Sequence, residues 1–280
     1  MSQLPINGEL VGLDLGSIPV QWDEREVMLY ALAVGAKPAG ELDFIYEGRG
    51  PKVLPGYGVI PGTAPFLSLI QRVAIDLRTL LHGEQAITWH RPIPPSAKAT
   101  STAQVTEVWD KGSAAVLVVE AVTADDDGPL FTNRATLFLR GAGGFGGERG
   151  PAAAPDPLPE RAPDAVVTAE TGPAQAALYR LLGDPNPIHI DPDFARMAGF
   201  ERPFLHGLCT FGIVCRTVLS DRCDGDPAGL GTFGARFADQ VYPGDEIVTK
   251  IWETGPGRVA FQSERADGTI VLSQGRATTR

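Results

Sequence analysis

Three side chains suited to proton transfer or substrate orientation fall within six positions: Asp184, Asn186 and His189. Pro185 and Pro187 are threaded between them. Each proline lacks an N–H and pushes the preceding residue out of the helical region, so 183–187 reads as an irregular loop that displays its polar groups. A carboxylate near an imidazole can move protons around neutral pH. The plainer reading makes Asp184 and Asn186 Asx-turn residues, for which neighbouring prolines are ordinary company. A turn by itself has no use for the imidazole.

The elements that must position this loop follow directly. Asp191-Pro192 has the form of a helix N-cap with proline at the first helical position, and Gly199 suits a left-handed C-terminal cap. After Pro203 the run FLHGLCTFGIVCRTVLSDR is apolar almost all round, which predicts a buried helix. At about 18 residues it is roughly 27 Å long. Gly207, in its first turn, offers a backbone N–H that a ligand oxygen can approach with no Cβ in the way. An Asp/His loop beside a buried helix N-terminus points to acyl transfer or hydration.

The chain has 280 residues, enough for one large domain or two of ordinary size. A net charge of −10 argues against nucleic acid or an anionic membrane as partner, while leaving an anionic substrate open. No apolar run approaches the ~20 residues that span a bilayer. The opening MSQLPINGEL lacks the basic and apolar regions of a signal peptide. Cys209, Cys215 and Cys223 contain no C-x-x-C pair, so neither zinc nor a disulfide framework is expected and a reduced cytosol fits.

Along the chain, Asp23 and Glu26 resemble a capping box, with Val27, Tyr30, Ala31 and Val34 giving one apolar stripe. A second helix is predicted from about Pro65 to Leu80. Strands are predicted within 86–93, 100–110, 113–124 and 129–140, and later within 229–240, 245–255, 257–266 and 269–279. Between these sets, 141–165 is rich in Gly, Ala and Pro and reads as a partly extended, exposed linker. Its GAGGFGG segment resembles a phosphate loop, but prolines follow where that motif requires a helix.

VTEVWDKG at 105–112 recurs as VTKIWETG at 248–255, and Arg134-Ala135-Thr136 recurs as Arg276-Ala277-Thr278. Two matches at nearly one offset suggest an internal duplication. Each half reads as helices followed by antiparallel strands. A long buried helix is best satisfied by a sheet wrapped around it, so the expected fold is α+β, a double hot-dog. Its repeats are 1–140 and 166–280, joined by the linker 141–165.

The stretch YRLLGDPNPIHIDPDFARMAGFERPFLHGLCTFG resembles the hydratase motif of the MaoC-like, (R)-specific 2-enoyl-CoA hydratases. These double hot-dog "type two" enzymes occur alone or inside peroxisomal multifunctional enzymes. EREVMLYALAVGA, ELDFIYEG, VLPGYGVIPG, LLHGEQAITWHRPIP, ATLFLRGAGGFGG and VYPGDEI are similar to that family in the same order, so the likeness covers nearly the whole chain. Leu182 departs from it, standing where a small hydroxyl residue is expected.

The resemblance implies Asp184 and His189 as the catalytic pair, with Asn186 orienting between them and the Gly207 N–H on the thioester oxygen. It implies substrate contacts along Pro185, Pro187 and Ile188 of the same loop, and at His82, Gly83, Lys111 and Phe237. The residues alone give blander readings. His82 with Gly83 reads as a helix C-terminal histidine and its cap. Lys111 reads as a solvated hairpin lysine, Phe237 as core, and His90 as a structural strand residue. His206 reads as a holder of the helix start rather than a catalyst.

The resulting expectation is reversible hydration of a trans-2-enoyl-CoA to a (3R)-3-hydroxyacyl-CoA in fatty-acyl metabolism, as a hydro-lyase. No metal or redox cofactor is needed, because CoA enters with the substrate; acyl-carrier protein is an alternative carrier. No Asp-x-Asn-x-x-His occurs in the first half, which is therefore expected to make room for the acyl chain. A homodimer in a bacterial cytosol is expected, and the C-terminal GRATTR is not a peroxisomal tripeptide signal. A hot-dog thioesterase and a non-catalytic acyl-thioester binding protein are the alternative functions.

Overall fold

Ten strands form one sheet whose order reads the same from either end once the two halves are matched. The computed structural model describes residues 3–151 and 157–280, so 152–156 of the expected linker lie outside the described residues. The first half supplies β1 (Asp14–Trp22), α1 (Glu24–Ala33), α2 (Pro38–Ile45), α3 (Val59–Gly62), α4 (Phe66–Arg72), β2 (Leu80–Trp89), β3 (Ala97–Asp110), β4 (Ala114–Asp125) and β5 (Gly128–Arg140). The second supplies β6 (Ala165–Glu170), α5 (Gln175–Tyr179), α6 (Pro192–Met197), α7 (Gly207–Cys223), β7 (Leu230–Phe237), β8 (Glu246–Gly255), β9 (Arg258–Arg265) and β10 (Ile270–Thr279).

The sheet order is β1-β3-β4-β5-β2-β7-β10-β9-β8-β6, so each strand of one half has its counterpart in the other. The two central strands, β2 and β7, pair antiparallel with Ala86 opposite Gly234. The repeated tryptophans, Trp109 and Trp252, fall on the counterparts β3 and β8. The repeated Arg-Ala-Thr triplets fall on β5 and β10. This is the α+β double hot-dog, with the duplication written into the strand order.

α7 is the long buried helix expected after Pro203, with ten buried side chains or glycines from Cys209 to Leu219. It packs against β6, β7, β8 and β10. Phe211, Phe233 and Phe261 carry the contact from helix to sheet, with ring centroids 4.8 and 4.7 Å apart. α1 crosses α7 closely: a Cβ on Gly212 would stand 2.5 Å from the Tyr30 hydroxyl, so that crossing requires glycine. The α1 capping box forms as read, with Asp23 and Glu26 each accepting the other's backbone N–H.

Several expectations are corrected. The second helix stops at Arg72 rather than Leu80, because Leu4 takes main-chain bonds with Arg72 and Ala74 and draws Val73 into an extended conformation. Asp76 then accepts the Arg78 N–H in an Asx turn, which competes with helix. Pro61, Gly62 and Pro65 divide what precedes, so the first half has no single long helix. Helices do not come first in either half, since β1 and β6 precede them. The linker is not simply extended: the Gly144 and Gly146 N–H groups each donate to Asp110 at 2.8 Å, and Phe145 packs on the first half's core. Those backbone donors, with Gly112, hold the Asp110 carboxyl down at about 2. The glycine-rich stretch therefore does grip an anion, but the anion is the chain's own. Among the described residues no helix is long and apolar enough to cross a membrane.

Candidate active site

The loop between α5 and α6 is shaped by the features that make it chemically interesting. Gly183, at φ +118°, reverses the chain after a short 3-10 turn. Asp184 Oδ1 accepts the Asn186 N–H at 3.1 Å, and Asn186 Oδ1 accepts the Ile188 N–H at 3.2 Å. The Asx-turn reading is thus correct for one oxygen of each side chain, and the second Asp184 oxygen remains available. Pro185 and Pro187 are exposed beside it, and Ile188 is half-buried.

His189 is buried at the base of the loop, and its Nδ1 lies 2.9 Å from the Phe204 carbonyl. A carbonyl can only accept, so the proton sits on Nδ1 and Nε2 is left bare. Burial pushes the imidazole below its ordinary pKa, against the opposing pull of the Phe204 hydrogen bond and the Asp184 charge. A neutral ring with a free Nε2 is a base.

His206, the N-cap residue of α7, is 2% exposed and makes no capping bond with its side chain. It lies against His189 with centroids 3.9 Å apart and planes 32° apart. Its Nε2 donates to the main-chain carbonyl of Asp184 at 3.3 Å. On its other side is Tyr179, 5.0 Å away, whose buried hydroxyl has no partner among the described residues. Burial, then His189, lowers the His206 pKa to about 4. One ligand atom each from Asp184, His189 and His206 lies within 4.8 Å of the other two.

Gly207 follows at the open end of α7. The Cys209 and Thr210 N–H groups both turn back to the His206 carbonyl, and among the described residues the Gly207 N–H has no acceptor. Phe237, at the end of β7, closes one side: a Gly207 Cβ would meet its ring at 3.3 Å. His82 meets the same ring edge-on at 5.0 Å. Asp184, His189, His206, Gly207, Phe237 and His82 therefore form one continuous group.

One sequence reading changes here. His82 is not at a helix C-terminus; it lies in β2, where the pairing with β5 slips between His82 and Glu84 to make a bulge around Gly83. Burial lowers the His82 pKa to about 4. Lys111 joins neither the Asp/His pair nor Gly207. Its Nζ donates to the Pro151 carbonyl at 3.1 Å and stands over the Trp109 ring, in the β3–β4 hairpin, two to three strands from β2. That separation is about 10–14 Å at the usual strand spacing. His90 bonds Thr132 on the outside of the sheet. His206, read as the holder of the helix start, is the N-cap residue of α7, and Tyr179 is the residue whose place in the site the sequence reading missed. The signal for Tyr179 was its position five residues before Asp184, on the last turn of α5.

The first half has a matching loop without the chemistry. Gly35, at φ +84°, closes α1 as Gly183 closes the turn after α5. Ala36 then follows where Asp184 stands, and Glu41 lies five residues on, where His189 stands. Glu41 is taken by Arg216 of α7 at 2.7 and 2.9 Å, on the wall of a 230 Å³ cavity that also includes Phe44, Lys52 and Leu219.

Comparison with known proteins fits this layout. Residues 20–141 match the description "MFE-2 hydratase 2 N-terminal domain", and residues 155–274 match "MaoC like domain". The chain is 38% identical to an enoyl-CoA hydratase, ChsH3, of Mycobacterium tuberculosis, over 96% of this chain and 98% of that one. It is 39% identical to 3-hydroxyacyl-thioester dehydratase Y of the same organism, over 91% and 92% of the two chains. A crystal structure of a MaoC-like dehydratase from Phytophthora capsici superposes with a TM-score of 0.89 at 28% identity, covering 99% of this chain and 98% of that one.

Proposed function

Because the chain belongs to the MaoC-like hydratase family, with an MFE-2 hydratase 2 N-terminal domain followed by a MaoC-like domain, we propose that it is a hydro-lyase that adds water to a trans-2-enoyl-CoA. The product is a (3R)-3-hydroxyacyl-CoA, and the reverse dehydration uses the same groups. The observation that carries this reading is the meeting of Asp184 with the bare-Nε2 His189 beside the open N-terminus of α7.

In the proposed mechanism one water is shared by Asp184 and His189. Its oxygen adds to Cβ of the enoyl group while the pair takes its proton. Charge moves onto the thioester oxygen, where the Gly207 N–H donates, and Cα then collects a proton from the same pair. Acid–base assistance of this kind is worth typically about 10²–10⁴-fold. A helix N-terminal donor aimed at the developing enolate acts in the manner of an oxyanion hole. Asn186 acts on the loop backbone through the Ile188 N–H rather than on the reacting atoms. CoA arrives with the substrate, so this mechanism calls on no resident cofactor.

The division of labour between repeats belongs to the same proposal. Residues 166–280 carry the chemistry, and 1–140 accommodate the acyl chain, which Ala36 and the engaged Glu41 support. His82 and Phe237 flank the thioester end, and Lys111 stands farther out along the same sheet end for a CoA contact. We assign the protein to the cytoplasm as a homodimer, the latter testable by light scattering.

The test is loss of the conjugated enoyl-thioester absorbance with crotonyl-CoA and a medium-chain enoyl-CoA, for wild type and Asp184→Asn. Rapid loss in wild type alone, with a (3R) product, is expected. A folded wild type that leaves both substrates untouched would overturn the assignment. Release of free thiol from saturated acyl-CoA would instead favour a thioesterase.

A further inference from the structure

We infer that Asp184, His189 and His206 together bind one borderline transition-metal dication such as Zn²⁺, and that an ion held there blocks the site. Among the described residues this is the one group of three His, Cys, Asp or Glu side chains that converges closely enough to hold a metal ion. Two imidazole nitrogens and one carboxylate are a donor set for Zn²⁺, and three protein ligands leave a position open. Mg²⁺ and Ca²⁺ prefer oxygen and are poorly served by two histidines.

Bonds of about 2.0–2.1 Å in a tetrahedron place ligand atoms about 3.3 Å apart. The atoms now within 4.8 Å of one another must therefore draw in by at most about 1.5 Å. Asp184 is exposed and has the freedom to turn inward, whereas the two imidazoles are already in contact. His189 has the outer support typical of a metal-binding histidine, its Nδ1–H bonded to a backbone carbonyl and its Nε2 left to bind. His206 is held by one 3.3 Å bond from Nε2, while its buried Nδ1 has no partner among the described residues. The chain's net charge of −10 favours the approach of a cation.

Metal binding by these side chains does not depend on the hydratase assignment. The block does rest on it, because a carboxylate and imidazole bound to metal cannot take the proton of a water. The experiment titrates metal-free full-length protein with Co²⁺, followed by its visible d–d absorption, and then displaces it with Zn²⁺. Wild type, Asp184→Asn and His206→Gln are compared, and crotonyl-CoA hydration is measured with Zn²⁺ and again after EDTA. One Co²⁺ per chain is expected, displaced by Zn²⁺, with affinity lowered at least about tenfold in either variant. Hydration should fall with Zn²⁺ and return with EDTA.

Absence of stoichiometric Co²⁺ absorption at millimolar ion overturns the site, as does an affinity unchanged in both variants. Asp184→Asn alters an exposed side chain, so it keeps the test open if His206→Gln does not fold. Full hydration by the Zn²⁺-saturated enzyme overturns the block alone. A wild type that binds Co²⁺ yet never hydrates an enoyl-CoA retires the hydratase assignment and leaves the metal site supported.

Discussion

The Nε2 of His206 donates to the main-chain carbonyl of Asp184 across 3.3 Å, so the residue that opens α7 also holds down the loop carrying the carboxylate. Carboxylate, imidazole and helix-end N–H are thereby one mechanical unit. A shift of the α7 N-terminus would move the Gly207 N–H and Asp184 together.

Asp184→Asn keeps the oxygen that caps the turn and removes the charge, and His189→Gln removes the proposed base. Each is expected to lower kcat about 10²–10⁴-fold with little effect on KM or melting temperature. Steady-state kinetics on crotonyl-CoA decide the point. A variant retaining more than a tenth of wild-type kcat would show that its side chain is a turn-former and nothing more.

Gly207→Ala places a methyl 3.3 Å from the Phe237 ring while keeping the N–H donor. The expected result is a kcat/KM reduced by about tenfold or more, as a small displacement of a positioned donor costs rate steeply. Phe237→Ala in the same chain should restore part of it by giving the methyl room. No restoration in the double variant would mean that the methyl obstructs substrate rather than Phe237.

Acid should weaken the fold through its buried histidines. His82 and His206 both sit at about 4 in the folded protein, against about 6.5 unfolded. The unfolded chain therefore takes up protons first as pH falls. The stability from keeping these rings neutral is complete above about 6.5 and drains away towards 4, at up to about 1.4 kcal/mol per pH unit for each ring. Urea midpoints between pH 8 and 4.5 should fall accordingly, and less steeply in His82→Phe. Equal slopes would exclude His82 from the effect. Activity should hold at pH values where an ordinary histidine would already be charged, since His189 is lowered too.

Asp110→Ala removes the acceptor shared by the Gly112, Gly144 and Gly146 N–H groups. Limited proteolysis should then cut faster within 141–151, with hydration of crotonyl-CoA little changed. An unchanged cleavage rate would show that Phe145 packing alone holds that stretch.

Much of this architecture was legible because single residues dictate it. Gly207 and the apolar run after it announce a buried helix, and the prolines around Asp184 forbid helix there. The eight strands read from alternation and turn residues all form, the first over Leu80–Trp89 rather than 86–93, and the repeated tryptophans fall on counterpart strands. β1 was hidden by Gly16 and Pro19, and by an edge position where alternation is weak; β6 has only six residues. Leu80-Leu81-His82-Gly83 imitates a helix end, yet it becomes strand because β5 pairs with it from Leu80 opposite Leu139 to His82 opposite Leu137. His206 was legible as the holder of a helix start, but its contacts with 179, 184 and 189 were not, since these meet it only through the folding of the loop onto α7.

The pairing of β2 with β7, centred where Ala86 faces Gly234, also bears on how such a chain can diverge. When two identical subunits meet at a seam, any altered residue is present on both sides of the axis. Here the two sides are joined in one polypeptide and differ independently: Ala36 stands on one side while Asp184 stands on the other. Tethering also keeps the seam closed at a concentration set by the linker rather than by the cell. One side can thus give up its reactive groups and change shape for new cargo without cost to the reactive groups of its twin.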